Sequence, residues 1–242
     1  MKRILSLSAL ALLTAYVVLA VVALCPQPSC DVCDGIVLRT DGTSEGLITE
    51  GGVLDMLKAD HLSPINQPMD SIDCHAIETA LAEKAAILSC DCYKTTGSKV
   101  GVRVQCRMPV VHVFADNGRS YCLDAEGVML QRLPKAVCVP VATGAITEQF
   151  ARTDLLQLVA FLDDHKFWQA QIQQIVVNGD GEVDLIPRVG SHILRIGRVE
   201  QLKHKFDKLE TFYDKAISQV GWERYDVLDA RFGNQVIGIM KQ

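Results

Sequence analysis

The sequence has no nucleophile paired with a base, no glycine-rich phosphate cradle and no Cys/His cluster with convincing ligand spacing. These absences argue against the common routes to covalent catalysis, nucleotide binding and structural zinc, so neither a cofactor nor a metal is expected. Positive charge is also in short supply. Against 29 acidic residues stand 24 basic ones, a net charge of −5, and setting aside Lys2 and Arg3 leaves 22 basic against 29 acidic, a balance of −7 for the remainder. A nucleic-acid partner is therefore disfavoured. Wholesale disorder is disfavoured too: 49% of the 242 residues are hydrophobic and 22% charged, enough for one or two domains with their own cores.

What the chain does have is one long apolar run. From Ile4 to Leu24 there are 21 consecutive uncharged residues, which as a helix rising ~1.5 Å per residue would cross a hydrocarbon layer of roughly 30 Å. Cleavage of this segment reads poorly, because Pro26 would follow a cut near Cys25 and Leu24 spoils a lipoprotein site. The run is expected to stay as an anchor: residues 1–3 a cytoplasmic tail, 4–24 a transmembrane helix and 25–35 a juxtamembrane linker. Lys2 and Arg3 on one side and Asp31 and Asp34 on the other imply a single-pass inner-membrane protein with its C-terminal part in the periplasm.

Nine cysteines accompany this run. Cys30 and Cys33 have the two-residue spacing of thioredoxin-like motifs, but Pro26, Pro28 and Ser29 precede them and a β-like IVLRT follows. The helix that would lower a thiol pKa is missing, so a disulfide or a plain linker is expected instead. Cys90, Cys92, Cys106, Cys122 and Cys138 lie in strand-like runs, where cysteine acts as a small buried hydrophobe.

Periodicity organises the rest. Residues 36–40 read as a strand; 49–59 as a helix capped by Thr49 with Val53, Leu54 and Leu57 inward; the stretch after Asp73 as a helix with Ile77 and Leu81 inward. A strand over 87–94 and a second in which Val100, Val102, Val104 and Cys106 alternate with polar residues complete a β-α-α-β-β order. Beyond Pro109 come short strand candidates, VVHVF, SYCLD, VMLQRL and AVCVPV, followed by a helix through Leu155, Leu158, Val159 and Leu162. A hairpin with NGDG at its turn and the strand HILRI lead to a long helix marked by Val199, Leu202, Phe206, Leu209, Phe212 or Tyr213, Ala216 and Val220. VLDARF and QVIGIM flank Gly233 and Asn234, an order that suits a two-residue type II′ turn.

Taken in order, several motifs give the chain a family likeness. They are Gln105-x-Arg107-x-Pro109, Tyr121-x-x-Asp124-x-x-Gly127, Val139-Pro140-Val141-x-x-Gly144, and Gly221-Trp222-x-x-Tyr225 ahead of a hairpin with Gln235-Val236. In these features the chain resembles the bacterial cell-division proteins FtsQ and DivIB, in their Bacteroidetes-like form, although Cys122 stands where an aromatic is usual. The resemblance implies an α+β fold: one N-terminal transmembrane helix, a POTRA-like β-α-α-β-β module over 36–107, and over 108–242 a C-terminal mixed β domain with a long packing helix. It implies a non-enzymatic scaffold at the division septum that binds FtsB-like and FtsL-like single-span partners and helps regulate septal peptidoglycan synthesis.

Within that framework Gln235, Val236, Ile237, Gly238, Ile239 and Met240 form the expected partner-binding strand, since an exposed sheet edge templates an added strand. Arg107 and Pro109 mark the seam between the two parts, where Arg107 would pair with an acid. Tyr121, Asp124 and Gly127 are expected to build a β layer, with Asp124 capping a turn, while Trp222 and Tyr225 anchor the core or the seam. Asp163-Asp164-His165 is a polar helix end rather than a metal cluster. Two alternative functions compete with the scaffold: an envelope assembly chaperone of the POTRA type, and a thiol oxidoreductase using Cys30 and Cys33.

Overall fold

The computed structural model describes residues 13–17, 19–20, 31–130, 137–217 and 221–241. Among these residues the strands form two sheets, one of three strands in the order β1-β3-β2 and one of nine in the order β12-β11-β10-β9-β8-β7-β4-β5-β6.

The smaller sheet comprises β1 (Gly35–Thr40), β2 (Ile87–Lys94) and β3 (Lys99–Cys106), with β1 parallel and β2 antiparallel to β3. Between β1 and β2 lie α1 (Glu50–Ala59) and α2 (Cys74–Ala82). Each helix starts at a side-chain cap that satisfies otherwise unpaired backbone donors. Thr49 Oγ1 accepts from the Gly52 amide at 3.1 Å, and Asp73 Oδ1 accepts from His75 and Ala76 at 3.0 and 3.1 Å. Val53 and Leu57 of α1 and Ile77 and Leu81 of α2 bury against Ile36, Val100, Val102 and Val104, the alternate residues on one face of the sheet. Ser44, itself fully buried, closes the end of this core by accepting the Cys106 amide at 2.9 Å.

The larger sheet begins with β4 (Pro109–Ala115), β5 (Ser120–Asp124) and β6 (Met129–Leu130) and continues through β7 (Val141–Gly144). The chain then runs into α3, made of Glu148–Phe150, a π-helical stretch Ala151–Leu155 and Leu156–Asp163, followed by α4 (Lys166–Gln171). Strands β8 (Ile172–Val177), β9 (Val183–Pro187) and β10 (Ile193–Gly197) come next. Helix α5 (Leu202–Phe212, with a π-helical continuation Tyr213–Ile217) and the strands β11 (Tyr225–Asp229) and β12 (Ile237–Met240) complete the fold.

One face of this sheet carries the core. Val111, Val113, Leu123, Ala142, Ile175, Leu185, Leu194 and Leu228 pack against Leu155, Leu158, Trp168, Phe206 and Leu209 from the helices. The alternate residues form rows on the opposite face: His112, Val141, Gln174 and Ile186 are register partners in sequence, as are Ile193, Val227 and Ile239. The β4-β7, β7-β8 and β10-β11 pairs are parallel, which requires crossover connections and brings residues distant in sequence side by side.

Four expectations are corrected. The membrane-spanning helix over 4–24 is not borne out: among the described residues no helix is long and apolar enough to cross a membrane. Of that run residues 13–17 and 19–20 are described and are helical. The rest, with the tail at 1–3, lies outside the described residues, and the expected single-pass inner-membrane placement, with the C-terminal part in the periplasm at the septum, is not retained. Of AVCVPV, residues 137–141 are described, and among them pairing starts only at Val141, while Pro140 contributes its carbonyl to the His112 amide at 3.0 Å and has no N–H to give. Cys138 in that stretch is exposed. The long helix starts at Leu202, after Gln201 in a left-handed conformation (φ 51°), and its π-helical tail turns Tyr213 inward, leaving Phe212 half-buried. Finally, no two-residue turn joins the last strands, since β11 ends at Asp229 and β12 begins at Ile237.

Candidate partner-binding edge

Strand β12 lies at one end of the nine-stranded sheet and, among the described residues, is hydrogen-bonded on one side only, to β11. Its register pairs Met240 with Tyr225, Ile239 with Val227, Gly238 with Leu228 and Ile237 with Asp229. Ile237, Ile239 and Met240 expose 40, 47 and 58% of their surface, which is unusual for three large apolar side chains in one four-residue strand. Gly238 has a specific reason to be glycine: a Cβ there would stand 2.6 Å from the Tyr225 ring, so the ring lies directly over the backbone of the edge strand.

The seven-residue connection, 230–236, is held from below by α5. Lys208 Nζ donates to the carbonyls of Phe232 and Gly233 at 2.7 Å, of Ala230 at 3.0 Å and of Gln235 at 3.4 Å, while His204 Nε2 lies 3.0 Å from the Gly233 carbonyl. These contacts supply the partners that a tight hairpin would have found across the strands. Burial pulls the Lys208 ammonium below its ordinary value, and the Asp229 charge opposes that shift. Val236 packs partly on the core, whereas Gln235 is exposed.

A second tie runs across the sheet. Arg231 grips Asp229 through Nε and a terminal nitrogen at 3.0 and 2.8 Å and reaches Glu182, ahead of β9, at 2.9 Å. Its aliphatic part passes over Gly197, where a Cβ would meet it at 2.9 Å and where φ is +65°. Burial raises the Asp229 carboxyl, but hydrogen bonds from Arg231 and the charge of Arg195 outweigh it and hold the carboxyl below the usual range. The β9-β10-β11 rim that supports β12 is thereby pinned by charge-assisted bonds.

Trp222 and Tyr225 sit at this same end. Tyr225 meets Phe212 edge-on at a centroid distance of 5.4 Å, and Trp222 stacks on the buried His192 at 6.1 Å and meets Tyr213 edge-on at 5.2 Å. Trp222 remains 36% exposed, so it caps the aromatic cluster of His192, Tyr213 and Trp168 from outside instead of lying in the core.

The other expected residues gather elsewhere. Arg107, just after β3, donates to Asp124 at 2.8 Å and to Glu126 at 2.6 Å. Asp124 Oδ1 also accepts the Glu126 and Val128 amides at 3.0 and 2.7 Å, closing a turn in which Gly127 adopts a φ of +80°. Pro109 opens β4 opposite Asp124, and Tyr121 is buried, with the Arg119 guanidinium 5.8 Å above its ring. This group belongs to β4 and β5, toward the far end of the sheet from β12; the expected site residues thus form two separate clusters.

Cys30 lies outside the described residues. Cys33 is fully buried, with its Sγ donating to the Gly35 carbonyl at 3.3 Å, a setting that offers no accessible thiol. At Asp163-Asp164-His165 the ring of His165 stacks on Phe161 and its Nδ1 lies 2.6 Å from the Phe161 carbonyl, the geometry of a helix end. Among the described residues no group of three or more His, Cys, Asp or Glu is placed to hold a metal ion. Lys208, His204 and Arg231 were not singled out from sequence. The signal available was Lys205 and Lys208 interrupting the apolar stripe of Leu202, Phe206 and Leu209 on one helix.

Comparison with known families gives two matches. Residues 108–239 match the model of the family described as FtsQ/DivIB, C-terminal related, and residues 31–105 match that of the POTRA-like domain. No curated protein matches the chain. Since the first match alone takes in more than half of the chain, the protein belongs to the FtsQ/DivIB C-terminal-related family, as a non-catalytic, division-type scaffold preceded by a POTRA-like domain.

Proposed function

We propose that this protein is a cell-division scaffold that takes a strand from an FtsB-like partner along β12, joins an FtsL-like protein in the same assembly, and helps regulate septal peptidoglycan synthesis. The observation that carries this reading is the one-sided pairing of β12, with its exposed Ile237, Ile239 and Met240. A strand added there would gain main-chain hydrogen bonds for affinity and alternate side-chain contacts for choice. Gln235 and Val236 extend the same surface toward the loop. We read residues 36–107 and 108–242 as two domains, with Arg107, Pro109, Tyr121, Asp124 and Gly127 as scaffold at their seam. We also read the chain as the Bacteroidetes-like form, on the motif set that includes Gly221-Trp222-x-x-Tyr225.

The test is titration of the purified protein with the FtsB-like protein of the same cell. Removal of residues 235–242 should abolish binding while a thermal melt still shows a cooperative transition. Full-strength binding by that folded variant would move the docking site elsewhere and leave the family assignment untouched.

A further inference from the structure

Helices α1 and α2 cover one face of the three-stranded sheet, and the alternate residues of its strands lie on the other. Three rows cross that second face. Arg39, Arg103 and Asp91 are register partners in one, Val37, Gly101 and Tyr93 in the next, and Gly35 and Lys99 in the third. Along these rows the cations Arg39, Lys99 and Arg103 face one acid, Asp91, although the chain as a whole carries a net charge of −5.

The first row is electrostatically incomplete. Arg39 stands directly opposite Arg103, and like charges so placed on neighbouring strands repel. Asp91 answers only Arg103, at 4.0 Å with both side chains mostly exposed, so it offsets little of that repulsion. Arg39 is exposed and makes no ion pair among the described residues. Gln105, two residues beyond Arg103, receives the Ser89 hydroxyl on its side-chain oxygen at 3.3 Å, which leaves Nε2 as a further donor. These residues line a groove of about 450 Å³. Asp41, just past β1, borders it, but its carboxylate is taken up by the Ser44 amide and the Thr43 hydroxyl, each at 2.9 Å.

The second row is flat and apolar. A Cβ on Gly101 would stand 2.4 Å from the Tyr93 ring, so the ring lies over that glycine, beside Val37. Both Tyr93 and Val37 are half-buried. A cationic row thus lies on each side of an apolar one.

We infer that this face of the small sheet docks an extended acidic segment of a partner protein. One carboxylate sits on the Arg39 and Arg103 pair, an apolar side chain rests on Tyr93 and Val37, and a second carboxylate meets Lys99. Same-side residues of an extended chain are ~6.6 Å apart, which is also the step between these rows. The guanidinium forks match planar carboxylates, and the Gln105 amide adds a donor beside them. Asp41 and Asp91 oppose a doubly charged phosphate group in the groove, and the apolar row between the cations favours a peptide over a free anion or a lipid headgroup. The surface belongs to a different sheet from β12, so it stands or falls independently of strand addition there.

The experiment titrates the purified full chain into a labelled peptide repeating Glu-Ser-Leu-Ser and follows its fluorescence anisotropy. Binding should weaken as salt is raised and be lost with the counterpart in which glutamine replaces glutamate. Arg39→Gln should weaken it at least about tenfold, through the loss of charge-assisted hydrogen bonds. Its thermal melt should stay at or above that of the wild type, because the repulsion across the row is relieved. Gln105→Glu, which adds an acid to the groove, should weaken binding in the same way. Equal binding of the glutamine peptide, full-strength binding by a folded Arg39→Gln variant, or no binding at millimolar peptide would each overturn the inference. So would displacement of the peptide by equimolar inorganic phosphate or by phosphatidylglycerol vesicles, which would give the site to phosphate groups. Self-association in sedimentation that is lost in Arg39→Gln would give the face to a second copy of the chain instead.

Discussion

The Arg107 guanidinium meets the Asp124 carboxylate at 2.8 Å, joining the segment that leaves the three-stranded sheet to the turn that follows β5 of the nine-stranded one. Asp124 is 6% exposed at its side chain and Arg107 19%, so the pair is well shielded from water. Because Asp124 also serves two backbone amides, Asp124→Ala should cost on the order of 2 kcal/mol, from the loss of several hydrogen bonds at one site. Arg107→Met should cost less, since Asp124 keeps the Glu126 and Val128 amides as donors. Denaturant melts of the two variants and of the double variant measure the coupling, and additive effects would show that the pair does not act as a unit.

Replacing Lys208 by Met should loosen the edge selectively. The loop carbonyls of Ala230, Phe232, Gly233 and Gln235 would lose their shared donor, a loss of about 1–2 kcal/mol. Hydrogen exchange should speed up in 230–240 and stay unchanged in β4 and β5. Uniform acceleration across the sheet would show that Lys208 supports the whole fold instead.

Gly238→Pro should weaken binding of the FtsB-like partner at least about tenfold while the core stays folded, because proline removes a backbone donor and restrains φ in a strand that pairs with β11 at the end of the sheet. Gly238→Ala separates two contributions. Its Cβ would displace the Tyr225 ring without removing the amide, so an intermediate loss of affinity is expected. Equal binding by wild type and the proline variant in a titration would rule out main-chain pairing at this position.

Stability should fall as the pH is lowered below about 6.5. His192 is 1% exposed, and burial holds its folded-state pKa below the ordinary 6.5, against the opposing pull of the Trp222 backbone and the Glu223 charge. The unfolded chain therefore binds a proton first as pH falls, and stability that is full above 6.5 is lost through the interval below it until the folded-state value is passed. The groups facing the ring are the Tyr213 hydroxyl at 2.6 Å, the Trp222 ring and, more distantly, Glu223. His192→Phe should flatten the dependence in melts between pH 5 and 7. An unchanged slope would assign it to other groups.

Much of the local structure could be read before any contact was known. The strand at Ile87–Lys94, the caps at Thr49 and Asp73, the β8-β9 hairpin and the alternation of Val100, Val102, Val104 and Cys106 each follow from spacing and turn chemistry within a dozen residues. The misreadings share a cause. Gly233-Asn234 has the order of a tight turn, yet Lys208, remote in sequence, offers its carbonyls a better set of partners. AVCVPV has the composition of a strand, yet only the part that meets His112 and its neighbours in register is paired.

By itself the sequence determined the local alternation of buried and exposed residues, the helix caps, the β-α-α-β-β order and the absence of a catalytic constellation, because each depends on residue type and short spacing. Only the tertiary structure decided that β7 enters between β4 and β8, that β11 runs parallel to β10, and that β12 is left at the rim with one neighbour. It alone set Lys208 beneath the final loop. Such pairings are chosen by the burial and hydrogen bonding available once distant segments share one core, and a period of two or 3.6 residues specifies a face to bury without naming the surface that will cover it.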